Sequence, residues 1–182
     1  MFDNDFEIFD SKNIQVSDKL PKIGIITRTT WESKNYPTEN FINLINYLNS
    51  KIKAQYFLIG ANSDINFNQN ILNNTNMHQN VYDLSGKTNL LELINLFNAC
   101  DIVIGGDTGP MHLASALNRP KIIALYGASP KIRNGPIGKN SKVIALNLDC
   151  QPCFKTKCPI KTNECLVNLD YKIIGDEVIN CL

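Results

Sequence analysis

The sequence has almost no excess charge of either sign. Eighteen lysines and arginines face 17 aspartates and glutamates, which leaves +1 at pH 7. A chain so balanced offers no broad cationic face, so no nucleic acid is expected as a partner. No apolar run approaches the length of a membrane span, so no transmembrane segment is expected. The first ten residues, MFDNDFEIFD, are acidic and lack both the basic start and the apolar core of a signal peptide. There is no internal repeat at solenoid spacing. The expected place is therefore the cytoplasm, where six cysteines serve as thiols or metal ligands rather than as disulfides.

What is present fits one α/β domain. A chain of 182 residues at 43% hydrophobic content has room for one substantial core and a small appendage. Residues 1–20 show no period and read as a tail or linker remnant, ending at Pro21. Lys22 to Thr27 (KIGIIT) is the first strand. Phe41, Leu44, Ile45 and Leu48 then fall on one face of a helix that opens near Pro37. Ala54 to Ile59 reads as a second strand and Val81 to Leu84 as a third. The polar, Asn-rich stretch 61–79 between them leaves room for a short helix around Phe67 to Leu72. Thr88 to Ala99 reads as a helix with Leu90, Leu91, Ile94 and Phe97 inward. Val143 to Leu148 is the last strand, and a terminal helix runs from Asp170 to Leu182. This alternation predicts a Rossmann-like parallel sheet with helices on both faces over residues 21–148, then a Cys-rich loop and terminal helix over 149–182. The loops that follow the strands gather on one edge, where ligands bind. They are Arg28 to Tyr36, Gly60 to Asp64, Ser85 to Thr88, Gly105 to His112 and Gly127 to Gly135.

The most informative stretch is Cys100 to Gly127, CDIVIGGDTGPMHLASALNRPKIIALYG. Ile102, Val103 and Ile104 form an apolar run without polar alternation, as in a strand covered on both faces. Gly105 and Gly106 remove side chains where the chain turns sharply. Asp107 or Thr108 can cap the next helix, and Pro110 suits its first turn. Met111, Leu113, Ala114 and Leu117 give that helix an apolar face. A helix N-terminus behind a glycine turn is a prepared anion site, with free amides and a favourable dipole. An ordinary βαβ turn without a ligand is the alternative.

Cys150, Cys153, Cys158 and Cys165 lie within DCQPCFKTKCPIKTNEC. Four closely spaced thiols with Pro152 and Pro159 at the turns suit a knuckle around one tetrahedral ion, zinc or iron, with a structural role. Free thiols or two disulfides remain the alternatives. Cys100 and Cys181 stand apart.

The string GGDTGPMHLASALNRPKIIALYG resembles the donor-binding segment of glycosyltransferase family 9, the ADP-heptose:lipopolysaccharide heptosyltransferases. The resemblance implies a donor site in which Asp107, Thr108, Gly109 and His112 take the family's positions, with Pro110 and Met111 in the same turn. It also gives Lys34, two residues before Tyr36-Pro37, the place of a diphosphate-binding lysine, and Thr29 and Thr30 those of hydroxyl donors. Asp64 is the match for an acidic residue that accepts from ribose, although it serves equally well as a helix cap. Ser85-Gly86-Lys87-Thr88 resembles the segment that runs past the adenine, with contacts from its backbone and Thr88. It serves equally as a plain turn and cap before the next helix.

The resemblance covers the chain from about Lys22 onward but only half of the family's two-domain GT-B architecture. The implied function is the donor-binding half of an inverting heptosyltransferase, taking ADP-heptose or a related ADP-sugar. A lipopolysaccharide core precursor is the acceptor. No catalytic metal is implied. The general base belongs to an N-terminal domain, and Asp3, Asp5 and Asp10 do not match it. A separate chain supplying that half is one partner the resemblance allows, and a peripheral position at the inner membrane face is one location. In an autotransporter-type subgroup of protein heptosyltransferases a similar four-cysteine stretch holds iron. A non-catalytic nucleotide-sugar-binding module and a metal-stabilised assembly domain are the other classes.

Overall fold

Six short segments of the chain become strands of one parallel sheet, and the central ones are apolar and buried on both sides. The computed structural model of this protein describes residues 14, 16–76 and 78–182. The acidic start with Asp3, Asp5 and Asp10, and most of the expected tail, lie outside the described residues.

The strands are β1 (Lys22–Ile26), β2 (Gln55–Ile59), β3 (Val81–Asp83), β4 (Ile102–Gly106), β5 (Lys121–Tyr126) and β6 (Ser141–Ala145). They pair in the order β3-β2-β1-β4-β5-β6, every pair parallel. The helices are α1 (Thr38–Lys51), α2 (Ile65–Asn74), α3 (Leu90–Ala99), α4 (Gly109–Ala116), the single turns α5 (Lys131–Asn134) and α6 (Glu164–Val167), and α7 (Tyr171–Cys181). This is the expected Rossmann-like arrangement. The strand order reverses between β1 and β4, and there a crevice opens beyond the carboxyl ends of the strands.

Two hydrophobic cores lie on opposite faces because successive strand residues point to opposite sides. Ile23, Ile25, Tyr56, Leu58, Ile102, Ile104, Ile123 and Leu125 face a core shared with α1, α2 and α7. Ile26, Phe57, Ile59, Val103, Ile122 and Ala124 face a second core with α3 and α4. On the first side Gly175 lets α7 lie against α1, since a side-chain carbon there would stand 2.5 Å from the Tyr47 ring.

Three elements differ from the sequence expectation. The face of α3 is rotated: Leu96 and Phe97 are buried and Leu93 packs beside them, whereas Leu90 and Leu91 are exposed. A capping box between Asn89 and Glu92 starts the helix at Leu90, and the face that packs is Leu93, Leu96, Phe97 and Cys100. The last strand is Ser141–Ala145 rather than Val143 to Leu148. Leu146 and Leu148 pack onto the core beyond the ladder without extending it. The helix expected around Phe67 to Leu72 runs over ten residues, Ile65–Asn74. Its buried Asn68 donates to Ser85 Oγ at 2.6 Å, a polar anchor invisible to hydropathy.

Candidate functional site

Asp107 leaves the end of β4 at the reversal point and is 7% exposed. Its Oδ2 receives Lys34 Nζ at 2.6 Å, Ser129 Oγ at 2.6 Å and Asn134 Nδ2 at 3.3 Å. Its Oδ1 lies 3.0 Å from His112 Nε2. Burial works to raise the Asp107 carboxyl, but the hydrogen bonds from Lys34, Ser129 and His112 outweigh it and bring the pKa down to about 2. Asp107 is therefore an anion throughout the physiological range, and it fixes one cation and one imidazole on the same side of the crevice. The carboxylate is spent on those partners and does not cap α4. Thr108 takes the N-cap position instead, and its side chain accepts from none of the helix amides. The helix thus begins with open donors behind a glycine turn.

These donors border a cavity of about 400 Å³ lined by Arg28, Thr29, Thr30, Gly60, Asp64, Thr88, Leu93, Thr108 and Pro110, among others. The loops after β1, β2 and β3 supply most of these residues, with Leu93 from α3 and Thr108 and Pro110 from the start of α4. Gly105 makes the bend possible: a side-chain carbon there would lie 2.8 Å from Ile26 Cβ and 3.1 Å from Met111 Cε. Lys34 sits on a 3-10 turn, Glu32–Lys34, within the loop after β1. Its ammonium lies 4.0 Å from the Trp31 ring centroid, so it is held from two sides.

The expected donor residues thus fall into two adjoining groups. Lys34, Asp107 and His112 form the ionic cluster, while Thr29, Thr30, Asp64, Thr88, Thr108 and Pro110 line the cavity. Gly109 opens α4 into free space, with nothing within 4 Å of a side-chain carbon built there. The Met111 side chain is fully buried in the core beneath Gly105, which leaves its backbone for any contact with a ligand. Thr29 Oγ1 donates to the Trp31 carbonyl at 2.9 Å, and Asp64 Oδ2 accepts from Ala61 N at 2.8 Å. Asp64 braces its own loop and caps no helix amide of α2.

Sequence reasoning missed Arg28, Ser129 and Asn134. Arg28 lines the cavity, with its guanidinium 4.9 Å from the Phe67 ring centroid. Ser129 and Asn134 complete the shell of Asp107 from the loop after β5. That loop was placed on the ligand edge, but nothing in GASPKIRNG distinguishes the two residues that reach back.

The six cysteines are free thiols. Cys150, Cys153, Cys158 and Cys165 all line one small cavity of about 20 Å³, together with Ser33. Among the described residues, however, no three His, Cys, Asp or Glu side chains stand close enough together to hold an ion. The expected knuckle is present as a shared cavity and not as a formed ligand shell. Cys165 stays buried against the end of β5, where its sulfur would lie 2.6 Å from a side-chain carbon at Gly127. Burial and the three neighbouring thiols push its pKa up to about 11. Cys158 is different. Amides of Asn163, Ile160, Thr162 and Lys161 hydrogen-bond its sulfur, Asn163 N at 3.4 Å, and lower its pKa. Among the described residues no helix is long and apolar enough to cross a membrane.

The model of glycosyltransferase family 9 (heptosyltransferase) matches residues 3–163. Lipopolysaccharide heptosyltransferase 2 of Escherichia coli K12 is 31% identical over 134 residues, 72% of this chain and 38% of its own. Among solved structures, E. coli ADP-heptose LPS heptosyltransferase II superposes with a TM-score of 0.84 at 22% identity. That match covers 100% of this chain and 52% of the other. An iron-containing dodecameric heptosyltransferase, TibC, in complex with ADP-D-beta-D-heptose, superposes at 0.68 with 16% identity, over 92% of this chain and 47% of its own. The matched region thus spans about a third of the sequence relatives and about half of the solved neighbours.

Proposed function

The chain belongs to glycosyltransferase family 9, and from that premise we propose that it is the donor-binding half of an inverting heptosyltransferase. Its donor is ADP-heptose or a related ADP-sugar, and its acceptor is a lipopolysaccharide core precursor. One observation carries the reading. The Asp107-held Lys34 and His112 stand beside an uncapped helix start and a cavity rich in threonine hydroxyls.

That arrangement suits a nucleoside diphosphate leaving group. As the sugar–oxygen bond lengthens, negative charge gathers on the diphosphate. Lys34 and the first amides of α4 stabilise that charge without reorganising. Thr30 and Thr108 supply neutral donors, Thr29 lines the cavity with its hydroxyl turned to the Trp31 carbonyl, and Asp64 and Thr88 lie where ribose and adenine would extend. Asp107 holds Lys34 in place, and His112 is positioned for a sugar hydroxyl or phosphate oxygen. No catalytic metal enters this chemistry. The general base and acceptor site are supplied by an N-terminal domain, in cis or from a separate chain. The setting is the cytoplasm, at the inner face of the membrane where the acceptor resides.

Calorimetric titration with ADP tests the reading: saturable binding is expected, and its absence overturns it. A transfer assay adds a second check. Residues 1–182 alone should bind donor without moving sugar, and robust transfer by the purified chain would show that this division of labour is wrong.

A structural ion at Cys150, Cys153, Cys158 and Cys165 is a second element of the proposal. The donor chemistry fits: four thiols share one cavity and Asn163 N meets the Cys158 sulfur as it would a metal thiolate, although the thiols would have to draw closer around the ion. Zinc or iron would close the loop and pin it to the body of the domain, leaving no open position for a substrate.

A further inference from the structure

The Cys-rich loop lies far from the diphosphate site in sequence and touches it in space at both partners of its central ion pair. Ser33, which immediately precedes Lys34, is 2% exposed. Its amide donates to the Thr156 carbonyl at 3.1 Å, and its hydroxyl donates to the Lys155 carbonyl. Ser33 also lines the cavity of the four thiols. Trp31, whose ring lies under the Lys34 ammonium, meets the Phe154 ring edge-on at 5.3 Å. On the other side, Phe154 N donates to the Ala128 carbonyl at 2.8 Å. Ala128 is next to Ser129, whose hydroxyl donates to Asp107. The loop therefore holds the chain on either side of the Lys34–Asp107 contact.

The 3-10 turn that carries Lys34 is too short to keep its own shape. Its N-cap Trp31 makes no side-chain cap bond, and three residues give little internal bonding. What keeps the turn in place is the pair of buried hydrogen bonds from Ser33 and the ring contact below it. A buried donor or acceptor that loses its partner is expensive, so the turn follows the loop.

We propose that the Cys-rich loop 149–163 positions Lys34, with Ser33 as the positioning residue, so that affinity for the donor diphosphate depends on how this loop is held. The proposal rests on the donor reading above, which assigns Lys34 to the diphosphate. Ser33 itself touches no ligand and acts only through its neighbour.

The test is a double-mutant cycle with ADP binding measured by calorimetry. Ser33→Ala should weaken ADP about tenfold, the effect of losing one buried hydrogen bond. On a Lys34→Ala background the same substitution should add nothing, which a general loss of structure would not reproduce. Unchanged affinity in Ser33→Ala, or an equal loss on both backgrounds, overturns the proposal. Should Ser33→Ala fail to fold, Phe154→Ala takes its place in the same cycle with the same expectations. A second readout is independent of ligand. Trp31 is the one tryptophan of the chain, so its emission reports on the turn. Ser33→Ala should shift that emission. If no form binds ADP, the donor reading fails, and the emission decides the positioning role: a shift supports it and an unshifted spectrum overturns it.

Discussion

Lys34 and Asp107 are 73 positions apart in the chain and meet at 2.6 Å, with both side chains largely withdrawn from solvent. The pair joins the loop after β1 to the end of β4, across the point where the sheet reverses its order. It is at once a brace for the crevice and the means by which one cation is kept at its floor.

Replacing Lys34 by alanine should therefore act mainly on the donor. Loss of a charge-assisted hydrogen bond to the diphosphate is expected to weaken ADP binding by about 1.5–3 kcal/mol. Calorimetry on wild type and variant measures this directly, and equal affinities would remove Lys34 from the site.

Asp107 carries a pH signature. Its folded pKa of about 2 lies below the ordinary 3.8, so the stability it lends is fully present above about pH 4 and is lost as pH falls toward 2. After allowance for screening this contribution is about 1–2 kcal/mol. Urea unfolding at several pH values should show that loss in wild type. Asp107→Asn should be less stable at neutral pH and should lack this part of the acid dependence.

At Gly105 an added methyl meets Ile26 and Met111 on the rigid floor of the bend. Gly105→Ala should cost about 1–3 kcal/mol through overpacking, read as a lower melting temperature. Because the bend also aims the start of α4, ADP affinity should fall in the same variant.

For the thiols, elemental analysis of protein purified without chelator should find about one zinc or iron per chain, as a four-ligand site implies. Cys158→Ser should lose the ion and melt at lower temperature. Four freely titratable thiols with no metal in the folded protein would reject the site.

Much of this was legible in the sequence because it is written in periodicity and local chemistry. The run Ile102 to Ile104 reads as a covered strand from its unbroken apolar character, and Gly105-Gly106 before Pro110 as a turn into a helix. The members of the ionic cluster were legible through the family resemblance, Asp107 and His112 in the glycine-turn string and Lys34 before Tyr36-Pro37. The cluster's geometry was not, because the capping rules that favour Asp107 at a helix start say nothing of a lysine 73 positions away. Ser129 and Asn134 escaped for the same reason, as did the buried Asn68, whose Nδ2 donates to Ser85 Oγ. The rotated face of α3 was hidden by its leucines. Leu90, Leu91, Leu93, Ile94 and Leu96 are all apolar, and the face that packs runs through Leu93, Leu96 and Phe97.

The return of α7 onto α1 bears on how the molecule assembles over time. Tyr36 Oη donates to the Leu169 carbonyl across 133 positions, and Tyr47 Oη to Asp176 across 129. A nascent chain that has emerged only as far as Leu148 already carries all six strands, yet Leu44, Ile45 and Leu48 on α1 lack part of their cover. Contacts of such long range are late and slow to form. Until they close, a sticky aliphatic surface is open to chaperones and to other unfinished chains, which makes the docking of α7 the step where synthesis and aggregation compete.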